Sequence, residues 1–102
     1  MTKISEVTED GTYMVDASGD LHRMEYSTGY MVGVKPLDYK VMFGGDVPKL
    51  TLIGRWTDTE DGRFVYWDEV ELVDNLLDAG NIARARGELA IWDNLNNCEV
   101  RV

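Results

Sequence analysis

Clusters of turn-forming residues recur along this chain at spacings too short for long helices. They are Asp16-Ala17-Ser18-Gly19-Asp20, Ser27-Thr28-Gly29, Gly44-Gly45-Asp46, residues 57–62 ending in Asp61-Gly62, and Asp93-Asn94-Leu95-Asn96-Asn97. Each is rich in residues that tolerate positive φ or fold back on their own backbone. Between them apolar residues alternate: Tyr30, Val32 and Val34; Tyr39, Val41 and Phe43; Cys98, Val100 and Val102. Alternation with a period of two marks strands with one buried face. Strands are therefore expected near 12–15, 21–26, 30–35, 39–43, 50–56, 63–73 and 98–102. Pro36 breaks the third of these or places it at an edge. In 50–56, Leu50, Leu52 and Trp56 share one parity and Ile53 takes the other. In 63–73 the apolar phase switches between Phe64/Tyr66 and Val65/Trp67/Val73, which a bulge near Trp67-Asp68 would reconcile.

One stretch reads as helix, about residues 75–86. Asp74 or Asp78 is the expected N-cap, Gly87 the C-terminal stop, and Arg84 and Arg86 suit the negative end of the helix dipole. Gly80 weakens it by about 1 kcal/mol relative to alanine. The fold class this predicts is α+β: a mostly antiparallel sheet of about six to eight strands with one short helix on one face. At 102 residues the chain is expected to form a single domain over 1–102, with no linker in view. A repeat of Tyr-Trp-Asp at 66–68 and Ile-Trp-Asp at 91–93 is too short a period for a propeller.

Counts exclude several chemistries. The single cysteine, Cys98, allows no internal disulfide and no cysteine zinc site. Its phase with Val100 and Val102 reads as core. The single histidine, His22, would have to carry any His-based catalysis alone, and no titratable partner is marked by spacing. Gly44-Gly45-Asp46 lacks the continuation of a phosphate loop. The opening residues MTKISEVTEDG show no apolar core of a secretory signal, no run is long enough to span a membrane, and a cytoplasmic location is expected. With 19 acids against 10 bases, the net charge of −9 repels nucleic-acid backbones and anionic membranes and attracts basic protein surfaces.

The acids concentrate. Residues 58–78 hold eight acids and one base, Arg63. Asp58, Glu60, Asp61, Asp68, Glu69, Glu71 and Asp74 are the candidate partner-binding residues, each a phosphate surrogate for an Arg or Lys, with Asp78 at the edge of the cluster. On a hairpin and helix entrance they would form one anionic plate. A solubilising surface is the plainer account of the same charges. Asp58, Glu60 and Glu69 match offsets 1, 3 and 12 of a calcium loop, but the required glycine would fall at Arg63, so no metal and no cofactor are expected. One or two of Trp56, Trp67 and Trp92 are expected to anchor the core. No pairing of carboxylates stands out as catalytic, and an enzyme is not expected.

Within 54–102, the pattern Gly54-x-Trp56-Thr57-Asp58, Gly62, Tyr66, Val70, Val73-Asp74, then residues 83–93 (Ala-Arg-Ala-Arg-Gly-Glu-Leu-Ala-Ile-Trp-Asp) and 99–102 (Glu-Val-Arg-Val), resembles a small domain of unassigned role in phage and mobile-element proteins. The resemblance covers about half the chain and carries no functional residues. It implies a phage or prophage origin. A compact acidic protein of that origin resembles host-defence inhibitors, including anti-CRISPR proteins. The expected function is then an inhibitor that occludes a basic nucleic-acid-binding surface of a host protein or nucleoprotein complex. The alternative is a structural, assembly or accessory domain of a phage or mobile-element protein, acting by shape.

Overall fold

A computed structural model describes residues 3–37, 50–57, 60, 62 and 64–102. It contains strands β1 (Gly11–Val15), β2 (Leu21–Met24), β3 (Tyr30–Pro36), β4 (Thr51–Thr57), β5 (Val65–Val73), β6 (Ala90–Asp93) and β7 (Cys98–Arg101). One α-helix, α1 (Leu76–Ala85), and a 3-10 turn at Ile4–Glu6 are the other elements among the described residues. The seven strands form one antiparallel sheet in the order β2-β1-β4-β5-β3-β6-β7, so the fold is α+β. The strand expected at 39–43 lies outside the described residues. The 3-10 turn has no periodicity to announce it; it buries Ile4.

The chain divides into two compact units, residues 1–24 with 35–69, and residues 25–34 with 70–102. The divisions fall after β2 and inside β3 and β5. No composition shift accompanies them, so the sequence shows no boundary.

In the first unit, Tyr13, Val15, Leu21, Ile53 and Trp67 pack with Ile4 and Leu37. Register explains the set, because Tyr13 opposes Ile53 and Val15 opposes Leu21, and directly opposed residues share a face. The Tyr13 and Trp67 rings sit 6.0 Å apart in a tilted arrangement. Tyr13 keeps its polar end satisfied by donating to the Glu9 carbonyl at 2.6 Å. Ile53 is fully buried while Leu52 and Trp56 are half-buried on the other face; Leu50 is exposed and has φ 60, so the strand starts after it.

In the second unit, Ala79 and Ala83 of α1 pack on Val32 and Ile91, with Tyr30, Val73, Ile82, Val100 and Val102 around them. Alanines on the inner stripe let the helix axis approach the sheet closely. Each fully buried Val or Ile there contributes about 1.5–3 kcal/mol.

Several expectations need correction. The N-cap of α1 is Asn75, not Asp74 or Asp78: its Oδ1 accepts from the Asp78 N–H at 2.9 Å, and its Nδ2 donates to Asp78 Oδ2 at 2.8 Å. Asp78 is thus the third helical residue of a reciprocal cap. The stop is as expected. Gly87 has φ +75, its N–H donates to the Arg84 carbonyl, and the Glu88 N–H donates to the Ala83 carbonyl. That is the double closure of a Schellman motif. β5 runs unbroken from Val65 to Val73. Trp67 and Val73 already share a parity; Phe64 and Tyr66 are exposed, so no bulge is needed to bury them. Val34 is exposed rather than buried with Tyr30 and Val32. Cys98 is exposed, not core, because β7 is the last strand in the sheet order and its burial fades toward the Asp93 turn.

Candidate functional site

The acids proposed as an anionic plate are distributed by the pleat of β5. Asp68 lies on one face with Tyr66, whereas Glu69 and Glu71 lie on the other with Trp67. Asp68 is half-buried, and its Oδ2 accepts from the Trp56 indole N–H at 3.1 Å. Burial pushes its carboxyl above the ordinary value, and the tryptophan bond offsets only part of this. Glu69 is 17% exposed at its side chain, with Lys35 Nζ 3.7 Å away. Glu71 Oε1 sits 2.7 Å from Arg86 Nη2. That oxygen receives no hydrogen bond of good angle, so the pair is a charge contact. Arg86 also donates to the Gly33 carbonyl at 3.1 Å, which fixes the guanidinium.

Glu60 and Asp74 are exposed, and Asp58 and Asp61 lie outside the described residues. Among the described residues, Asp68, Glu69 and Glu71 are engaged within the protein, two by cations and one by an indole. A phosphate surrogate must offer its charge to the partner, and an internal cation takes that charge first.

Two carboxylates outside the cluster organise the first unit and were not signalled by spacing. Asp10 Oδ1 lies 2.7 Å from Arg55 Nη1 and accepts from the Thr57 hydroxyl, while Oδ2 accepts from the Thr57 N–H at 3.0 Å. It ties the start of β1 to the end of β4. Asp16 accepts from the N–H groups of Ser18 and Asp20 and meets His22 Nε2 at 2.7 Å. The His22 contact is the largest influence holding Asp16 below its ordinary value. His22 thus has a carboxylate partner across the turn, which a linear search for a catalytic spacing missed. The pair sits on the surface, which fits a turn clasp rather than a reaction centre.

Among the described residues no group of three or more His, Cys, Asp or Glu is placed to hold a metal ion. No helix among them is long and apolar enough to cross a membrane.

The feature with binding geometry lies in the second unit. An open groove of about 490 Å³ runs between α1 and β7, lined by Leu76, Leu77 and Gly80 on one side and Val100, Arg101 and Val102 on the other. Leu76 is 49% exposed and Leu77 is 71% exposed. Arg84 also borders the groove, and its guanidinium lies over Gly80 and donates to Asn81 Oδ1 at 2.9 Å. β7 beside it ends the sheet order, so among the described residues one side of its main chain has no strand neighbour. Comparison with known proteins returned no matching family model, no matching curated protein and no matching solved structure.

Proposed function

We propose that this chain is a non-catalytic binding domain with an assembly or accessory role, acting through apolar and main-chain contacts. The observation that carries this is the groove between α1 and β7, where exposed leucines stand beside a strand edge that is unpaired among the described residues. An apolar stripe next to free N–H and C=O groups is the arrangement that takes up an additional strand. The compensation of Asp68, Glu69 and Glu71 within the protein supports the same choice, since it leaves less charge for a partner. A phage or mobile-element setting for this role rests on the resemblance in residues 54–102.

The inhibitor reading keeps one observation, the excess of eight acids over one base in residues 58–78, with Asp74 exposed at its end. The two readings separate by salt. Contacts made by apolar area and main chain survive washing at about 1 M salt, where the Debye length is about 3 Å; long-range pairing of an acidic surface with a basic one does not. Immobilised protein is exposed to lysate of the cell that carries it and washed at low and high salt. A partner retained in both washes supports the assembly reading. A basic partner lost in the high-salt wash, with weaker capture by Asp74→Lys, supports the inhibitor reading instead.

A further inference from the structure

The edge strand β7 has a register that makes it complementary to itself. The Val102 N–H donates to the Leu89 carbonyl at 3.1 Å, and Val100 opposes Ile91 in the same ladder. Antiparallel pairing alternates, so Cys98, Val100 and Val102 turn their N–H and C=O groups toward β6. Glu99 and Arg101 turn theirs outward, toward the side where the described residues supply no strand neighbour. Any strand added to this edge must bond to those two residues. If the added strand is another β7, three two-fold arrangements satisfy the outward groups. Centring on Glu99 sets two glutamates face to face, and centring on Arg101 sets two arginines face to face. Centring on Val100 sets Glu99 opposite Arg101 twice. Opposite charges directly across a pair of strands stabilise it and like charges destabilise it.

The groove favours the same arrangement. Val100 opposes Ile91 and packs with the α1 cluster, so its side chain lies on the face that α1 covers. A second β7 centred on Val100 would bring its own Val100 beside the first, in the groove under Leu76 and Leu77. These leucines are exposed along the groove. Within one chain Arg101 Nε already lies 3.0 Å from Glu99 Oε1. Pairing two copies extends that contact into a square of alternating charges.

We propose that two copies of this chain associate through β7, antiparallel about Val100, with Glu99 of each copy opposite Arg101 of the other. The contact is isologous and closes on itself, so it gives a dimer rather than a fibre. The proposal rests on the assembly reading above and names its first partner as a second copy.

The test is sedimentation equilibrium of the full chain over a concentration series, with circular dichroism and a thermal melt on every variant. The parent is expected to dimerise. Glu99→Arg and Arg101→Glu each place like charges opposite one another and are expected to weaken the dimer roughly tenfold or more. The double variant E99R/R101E restores opposite pairs and is expected to recover the parent association. Net charge does not mimic this pattern, since one single variant lowers the net negative charge and the other raises it. Both side chains are exposed, so folding is expected to persist and the melts check it. A parent that stays monomeric overturns the proposal, as does a dimer indifferent to the single reversals or unrestored by the double one. A monomer that still retains a partner at high salt overturns self-pairing alone; a monomer with no salt-resistant partner overturns the assembly reading as well.

Discussion

Asp68 holds a charge where the surroundings disfavour one. It is half-buried, and the indole N–H of Trp56 donates to it. Its carboxyl is raised above the ordinary value, with burial as the first cause. The folded state then binds the proton more tightly than the unfolded chain does. Stability from this group is therefore fully present below the ordinary aspartate range and is lost as pH rises through the raised value. Asp68→Asn removes the charge and leaves an oxygen to accept from Trp56. The variant is expected to melt higher than the parent at pH 7, with the gap closing as pH falls below about 3.9. Thermal melts across pH check this, and a gap that widens in acid would contradict it. Asp16 works in the opposite sense. Its contact with His22 and the backbone N–H of Asp20 lower its value, so its contribution is present above the ordinary range and is lost as pH falls through the depressed one.

Two glycines, one inside helix α1 and one just past its end, have opposite consequences. Gly80 sits in the helix interior, and a Cβ there would come 3.3 Å from Arg84 Nη2, the far end of a flexible side chain. The arginine can shift, so Gly80→Ala is expected to stabilise by about 0.5–1 kcal/mol through reduced unfolded-state freedom. Gly87 has φ +75 with nothing within 4 Å of a Cβ, so the obstacle there is conformation rather than space. Gly87→Ala is expected to cost about 1–2 kcal/mol by straining the Schellman closure. Chemical denaturation of both variants tests the pair; equal signs would show that α1 is governed by something other than its backbone. The sequence showed the C-terminal stop clearly, because a glycine after Arg84-x-Arg86 has few other uses. It pointed to Asp74 or Asp78 rather than Asn75, because all three are acceptable capping types. Only the geometry shows that Asn75 caps and that Asp78 closes the reciprocal bond. Likewise the alternation of Cys98, Val100 and Val102 marked β7 correctly as a strand. Its place at the edge depends on pairing with β6, and so the exposure of Cys98 could not be read locally.

At the scale of the whole chain, the sheet class was legible because local alternation and turn chemistry determine strands. The fate of the acidic cluster was not, because charge spacing along a strand says nothing about which cations fold back onto it. Lys35 and Arg86 come from distant positions to meet Glu69 and Glu71. Two buried clusters hold the chain, one around Ile53 and one around Ile91. Ile53→Ala and Ile91→Ala are each expected to cost about 2–5 kcal/mol, measured by denaturant unfolding. Charge sets the last expectation. Among the described residues Arg23, Lys35, Arg55, Arg86 and Arg101 each lie in an ion pair with a carboxylate. Each pair keeps at least one exposed side chain, and pairs open to solvent are worth about 0–1 kcal/mol apiece, so screening them costs little. The net charge of −9 exceeds what they neutralise, and its repulsion is relieved by the same salt. The two effects of salt oppose each other, and the repulsion is the larger. The melting temperature at pH 7 is therefore expected to rise when sodium chloride is increased from about 10 mM to about 300 mM. Melts recorded at a concentration where sedimentation finds only monomer keep dimerisation out of the comparison. A fall in melting temperature would mean that the ion pairs outweigh the repulsion, and that the acids of this chain are matched to its folded shape more closely than their number suggests.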